Sequence, residues 1–265
     1  MVDGSPQEKV ERLADQAFLG GPPTDFERVG RLSFEALLAE GLKPSSRVLD
    51  VGCGALRMGY WLMRFLDPGC YFGIEPNREM LDVGLNDLVE ADVVKRANAH
   101  FAGNDDFDFS VFGEQFDFVL ARSIWTHSSK AQIQAMLSSF AATAAPGGVF
   151  LASYHPASAF FALGKRWPRA ERLLTALPLS ELSTIAARVP TLGRSNAYDG
   201  EQWVGRSHRS DSPGAARHSL GWIAGEARQR GLKATLAPYP VVNRQYWIRV
   251  TKLPQAGADA TPGSA

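Results

Sequence analysis

The chain has 265 residues, 45% of them hydrophobic and 21% charged, which suits one large domain or one domain with an insertion. Lys plus Arg and Asp plus Glu are equal at 28 each, so the basic excess of a dedicated nucleic-acid or anionic-membrane binder is missing. Two cysteines, Cys53 and Cys70, exclude a disulfide framework and favour a reducing, cytoplasmic setting. Met1 to Leu13 is polar and charged, unlike a secretory leader. The most apolar stretches are broken by Arg64, Asp67, His155 and Pro156, short of the ~20 residues a membrane span needs.

Residues 1–23 read as a partly disordered N-terminal segment, beginning with the polar run Met1 to Glu8. A helix is expected from Thr24, its cap, with Leu32, Phe34, Leu37 and Leu38 at helical spacing and Gly41 at its end. Arg47 to Val51 is a short apolar strand that runs into Gly52-Cys-Gly54, followed by a helix from Met58 to Leu66. After Pro68-Gly69, Cys70 to Ile74 reads as the second strand, and Asn77 caps a helix reaching Asn86. Ala99 to Ala102 and Phe116 to Ala121 are the third and fourth strands. Lys130 to Ala144 is a helix with Ile133, Met136, Leu137 and Phe140 on one face, and Val149 to Tyr154 is the fifth strand. Gly214 to Arg230 is helical, and Lys233 to Pro238 and Gln245 to Thr251 are the last strands.

This alternation predicts an α/β fold: a doubly wound, mostly parallel, seven-stranded sheet whose last strand pairs antiparallel. Residues 24–154 and 213–252 would form the core, and 253–265 a disordered tail rich in Pro, Gly, Ala and Ser. Residues 155–212 interrupt the core with two helix-like pieces, Ser158 to Leu177 and Leu179 to Val189, and a polar loop. Sites in such sheets lie beyond the carboxyl ends of the strands, so this helical, mildly basic insertion is placed to cap the substrate. Trp125, Phe160, Phe161, Trp167, Tyr198 and Trp203 could shape an acceptor pocket, although core packing is the favoured reading for any single ring in the insertion.

The informative stretch is Val48-Leu-Asp-Val-Gly-Cys-Gly-Ala-Leu-Arg57. Glycines there let backbone approach a ligand, and the helix behind them offers unpaired N–H groups. Asp50 lies two residues before Gly52, where a carboxylate can order the loop or meet a cationic ligand. Glu75 directly follows a strand, where an acid can accept both hydroxyls of a ribose. Arg57 stands where a dinucleotide fingerprint has its third glycine; it would clamp a carboxylate rather than admit a pyrophosphate. The combination favours a ligand with ribose, adenine and an amino-acid end over a nicotinamide dinucleotide.

Val48-Leu-Asp-Val-Gly-Cys-Gly, Gly73-Ile-Glu-Pro76, Phe116-Asp-Phe-Val-Leu and Ala145-Pro-Gly-Gly-Val-Phe-Leu, in this order, resemble the successive motifs of class I S-adenosylmethionine-dependent methyltransferases. Ser123-Ile-Trp-Thr-His-Ser128 is similar to a Ser-x-Phe-Thr-His-Leu segment of some members. The resemblance implies a Rossmann-like methyltransferase fold with S-adenosylmethionine as cofactor. It puts Asp50, Gly52 and Gly54 around the methionyl and ribose parts and Glu75 on the ribose hydroxyls. Asp105 or Asp106 would meet the adenine amine, with Phe107 packing the ring, and Ala121 and Arg122 would line the methionyl side.

Methyl transfer from a sulfonium needs donor and acceptor positioned and, for a hydroxyl or ammonium acceptor, a proton removed. His127, after the fourth strand, is the first candidate base and His155, after the fifth, the second; either could instead be structural. No His-Glu-x-x-His or Cys-x-x-Cys spacing implies a metal, and no Gly-x-Ser-x-Gly elbow implies a serine nucleophile. The leading expectation is O- or N-methylation of a small molecule, without membrane or nucleic-acid partners. Methylation of a protein or tRNA, and a non-catalytic S-adenosylmethionine-binding module, are the alternatives.

Overall fold

Short apolar runs alternating with helix-period segments close, in this computed structural model, into one twisted sheet with helices on both faces. The structure describes residues 6–15, 19–156 and 216–254. Its strands are β1 (Val48–Val51), β2 (Tyr71–Ile74), β3 (His100–Ala102), β4 (Phe116–Ala121), β5 (Ala144–Pro156), β6 (Arg217–His218), β7 (Leu232–Val242) and β8 (Gln245–Lys252). Its helices are α1 (Pro6–Leu13), α2 (Phe26–Ala39), α3 (Gly59–Phe65), α4 (Arg78–Val83), α5 (Ala91–Ala97), α6 (Lys130–Thr143) and α7 (Leu220–Gln229). Seven strands run in the order β3-β2-β1-β4-β5-β8-β7, and the two-residue β6 pairs with the end of β5. β1 is parallel to both β2 and β4, whereas β8 is antiparallel to both β5 and β7, as the short β7–β8 link requires. The strand order reverses between β1 and β4, which opens a crevice at their carboxyl ends.

The sheet is buried on both faces. Leu49, Val119 and Phe150 pack with Ile133, Leu137 and Phe140 of α6 and Ile223 of α7. On the other face Val48, Phe118 and Leu151 pack with Leu37 of α2 and Leu62 of α3. Each such side chain removed from water contributes about 1.5–3 kcal/mol against chain entropy. The start of α6 is fixed by a reciprocal cap in which Ser129 Oγ accepts from Gln132 N and the Gln132 side chain accepts from Ser129 N. Asn77 caps α4 as expected, its side chain accepting from Met80 N.

Several boundaries differ from the sequence reading. Thr24 is not a helix cap: Pro23–Asp25 form a 3-10 turn and Asp25 precedes α2. Pro6–Leu13 is helical where a polar, unordered run was expected, because Val10 buries itself with Leu19, Phe26 and Met80. The short α5 was not anticipated; only Val93 and Ala97 of its seven residues are buried, too few for a periodic signal. A π-helical turn, Gly84–Leu88, extends α4, and Gly84 is required because a Cβ there would lie 2.8 Å from the Ala55 carbonyl carbon. Helix α7 begins at Leu220 with Ser219 as cap, later than Gly214, and β7 continues past Pro238 to Val242. The expected cap insertion lies outside the described residues apart from His155 and Pro156, and so does the tail beyond residue 254.

Candidate active site

β1 delivers Asp50 and the glycine loop to the crevice. Gly52 N and Cys53 N donate to the Ile74 carbonyl at 2.8 and 3.1 Å, which ties the loop to the end of β2. Gly52 has φ +68°, and a Cβ there would stand 2.2 Å from Ile124 Cδ1, so both conformation and space demand glycine. Glu75, 3% exposed, accepts from Gly54 N at 3.0 Å through Oε2 and from Asn77 N at 2.8 Å through Oε1. Burial raises its pKa, and those two bonds pull it back. Asp50, 2% exposed, accepts from the Tyr71 hydroxyl at 3.0 Å. Burial is the main cause that pushes it up to about 7; Tyr71 opposes this and the Glu75 charge adds to it. Cys53 is a buried thiol whose pKa burial drives upward, so it is wall rather than nucleophile.

A cavity of about 460 Å³ lies over these ends. Asp50, Gly52, Gly54, Arg57 and Glu75 line one part of it, and Arg122, His127 and His155 line another. The structure does not bring the remaining candidates there. Ala121 is fully buried within β4. Phe107 is core, packed with the cluster that contains Phe72 and Phe109. Asp105 and Asp106 are exposed after β3. Asp106 is engaged locally: it accepts from Asn104 Nδ2 at 2.7 Å and Asp108 N at 3.0 Å, and these bonds lower its pKa.

Three stretches reach the cavity without having been foreseen. Residues 19–22 cross it, with Arg57 Nη2 donating to the Gly20 carbonyl at 3.2 Å and the Arg57 guanidinium 5.0 Å from the Phe26 ring. A Cβ at Gly21 would stand 2.8 Å from Arg57 Nη2, so Gly21 leaves room for the guanidinium where it lies. Met80 adds an apolar patch near Gly54. Asn243 and Gln245 arrive from the β7–β8 turn, where Asn243 and Arg244 both have positive φ, the pattern of a type I′ hairpin. The glycine pair and the Asn-Arg pair were legible as turns; nothing local says which surface they approach.

The Ser123 to Ser128 segment is a tight turn held by its own hydroxyls. Thr126 Oγ1 donates to the Ser123 carbonyl and Ser128 Oγ to the Ile124 carbonyl, both at 2.8 Å. Trp125 is wholly buried against Phe150, and His127 is left on the exposed side at the cavity. His155 Nδ1 lies 3.0 Å from the Arg244 carbonyl. A carbonyl only accepts, so Nδ1 carries the proton and Nε2 is the acceptor nitrogen of the neutral ring. Burial lowers the His155 pKa; the bond to the Arg244 carbonyl opposes this, and the charges of Arg217, His127 and Arg122 add smaller lowering effects.

Among the described residues no set of His, Cys, Asp and Glu is grouped to hold a metal ion, and no helix is long and apolar enough to cross a membrane. The donor set fits S-adenosylmethionine instead: an anchored acid at the end of β2, a second acid at β1, and glycines that leave the loop backbone bare.

Solved structures share this architecture. One is a magnesium protoporphyrin IX methyltransferase from Synechocystis with bound SAH (TM-score 0.52, 16% identity, covering 92% of this chain and 93% of that one). The second is DhpI in complex with SAH (0.53, 17%, 94% of each chain). The third is the glycopeptide N-methyltransferase MtfA with S-adenosylmethionine (0.54, 14%, 84% of this chain and 94% of that one). At such identities the likeness establishes the fold, which is the Rossmann-like one of methyltransferases. Residues 48–148, which contain the glycine loop, Glu75 and β4, match the family model described as a methyltransferase domain. Over that stretch the chain is similar to a methyltransferase domain, set in the fold of class I S-adenosylmethionine-dependent methyltransferases, and such a domain implies S-adenosylmethionine as cofactor.

Proposed function

We propose that this enzyme methylates an oxygen or nitrogen atom of a small-molecule acceptor in the cytoplasm. The observation that carries the reading is a cavity of about 460 Å³, with the acids and glycines of β1 and β2 along one part and two histidines along the other. That volume is in the range of small-molecule sites. Two of the similar folds are named for a porphyrin and a glycopeptide, and the two free thiols suit a reducing compartment.

S-adenosylmethionine, when bound, supplies a methyl group made electrophilic by its positive sulfur. Ionised Asp50 would face the cationic end of that ligand, and Gly52 and Gly54 would admit it against bare backbone. Glu75, whose carboxylate already holds Gly54 N, would accept from the ribose hydroxyls. Arg57 would pair with the carboxylate, and the backbone of Ala121 and Arg122 would flank the methionyl part. Asp105 is the candidate for the adenine amine over Asp106, because the Asp106 carboxylate is used by its own turn. His155 Nε2 takes up the proton that a hydroxyl or ammonium acceptor loses. His127, on the more exposed wall, is the second base.

The test is titration with S-adenosylmethionine and S-adenosylhomocysteine, then transfer of labelled methyl into a cell extract fractionated by size. Label in the low-mass fraction supports the reading. Label that follows protein or RNA overturns the small-molecule acceptor, and salt-sensitive transfer would identify RNA.

A further inference from the structure

Two arginines line the cavity, yet the cofactor carries one carboxylate. Arg57 stands beside the glycine loop, held by Gly20 and Phe26. Arg122 leaves the end of β4 in the other direction. Its Nη1 donates to Ser153 Oγ on β5 at 2.9 Å and to Ser123 Oγ at 3.2 Å, and its guanidinium lies 5.4 Å from the Trp247 ring on β8. The charged group is therefore over β5 and β8, about two strand spacings (~10 Å) from the β1 loop.

Among the described residues the partners of Arg122 are all neutral. Ser153 Oγ also accepts from Ser123 N at 2.7 Å and donates to Gln245 Oε1 at 2.7 Å, and Ser123 Oγ donates to the same oxygen at 3.0 Å. That network is complete, and it supplies the guanidinium with hydroxyl lone pairs but no negative charge. Arg122 Nε is buried without a hydrogen bond, and Arg122 makes no ion pair among the described residues. Asp25, an acid whose charge reaches it, is bonded to Arg28 at 3.5 Å and to Asn243 at 3.2 Å. Burial and the facing Arg57 lower the Arg122 pKa to about 9, so it remains a cation at neutral pH. A desolvated cation with neutral partners is costly unless an anion meets it.

We propose that Arg122 is the anion-recognition point of the acceptor subsite: the methyl acceptor carries a carboxylate or phosphate group that pairs with this guanidinium and turns its nucleophilic atom toward His155. The inference rests on reading the β1–β2 half of the cavity as the cofactor's place. An Arg fork is suited to either group, and pairing in a desolvated pocket is worth more than at a surface.

The experiment uses the full chain saturated with S-adenosylhomocysteine. Inorganic phosphate and, separately, acetate are titrated at constant ionic strength, with melting temperature and calorimetric heat as readouts. Saturable stabilisation is expected in the parent protein, and the more effective anion identifies the acceptor's group as phosphate or carboxylate. Arg122→Met, which keeps packing on Trp247, should abolish the response while changing S-adenosylhomocysteine affinity less than about threefold. Arg57→Met should weaken that affinity about tenfold or more, the scale of one lost charge-assisted bond. Arg122→Gln, which retains a donor toward Ser153, serves if the Met form does not fold. An anion response absent from the parent, or intact in a folded Arg122 variant, overturns the proposal. So does a tenfold loss of S-adenosylhomocysteine affinity on changing Arg122, which would assign the guanidinium to the cofactor. Failure of the parent to bind S-adenosylhomocysteine overturns the underlying reading instead, and it shows before any anion is added.

Discussion

Cofactor affinity should rise with pH because Asp50 must lose a proton to face a cationic ligand. Its folded pKa is raised from 3.8 to about 7, chiefly by burial. The free folded protein therefore holds this proton up to about pH 7, whereas the unfolded chain releases it near 3.8. Folding stability falls as pH rises through that window and is level above it; at ~1.4 kcal/mol per unit, the three units bound the loss at about 4 kcal/mol. Binding runs the other way. At pH 6 about one molecule in eleven has Asp50 ionised, and at pH 8 about ten in eleven, so the apparent dissociation constant for S-adenosylhomocysteine should fall about tenfold. Calorimetry in two buffers of different ionisation heat checks this, with close to one proton released per ligand at pH 6 and almost none at pH 8. Tyr71→Phe removes the bond at 3.0 Å that favours the anion, so the rise should move to higher pH. Asp50→Asn should flatten the profile and weaken binding at pH 8. A flat profile in the parent protein, or a tenfold rise that survives Asp50→Asn, would refute the reasoning.

Other substitutions probe the remaining parts of the site. Glu75→Ala should weaken S-adenosylhomocysteine binding by ~1–3 kcal/mol and also lower the melting temperature, since Gly54 N and Asn77 N lose their acceptor. Unchanged thermal stability would contradict the anchoring role. Gly52→Ala adds ~1–2 kcal/mol of backbone strain at φ +68° and drives a Cβ into Ile124 Cδ1. Adding Ile124→Ala should recover part of the lost affinity, and strict additivity in the double variant would count against the steric contact. With an acceptor in hand, His155→Ala should lower kcat by ~10²–10⁴ with little change in cofactor affinity, and the acid limb of the pH–rate profile should disappear. An intact rate across pH would show that positioning suffices without this base.

Most of the frame was legible in the chain because its signals are local. Apolar runs at Val48–Val51, Tyr71–Ile74 and Phe116–Ala121 are strands by their own composition, and alternation with helices leaves a parallel sheet as the way to bury them. Parallel strands bring their carboxyl ends to one edge, so Asp50, Glu75, His127 and His155 could be assigned to one site although more than a hundred positions separate the first from the last. Gly52 also announced itself, since a glycine pair directly after a strand marks a positive φ or a close approach.

What the sequence by itself determined was therefore the sheet, its glycine loop and the edge that carries the chemistry. The tertiary structure decided the rest, through contacts between residues far apart in the chain. It turned the Asp106 carboxylate into its own loop and Phe107 into the core, away from the cavity. It laid residues 19–22 over Arg57 and brought the β7–β8 turn to the site. The Arg244 carbonyl, 89 positions from His155, fixes the tautomer that makes Nε2 the acceptor nitrogen. Burial did the remaining work: it holds Asp50 near half-ionisation at neutral pH and leaves Arg122 with neutral partners. Neither property belongs to a residue alone, because each is a difference between water and the packed surroundings that only the fold supplies.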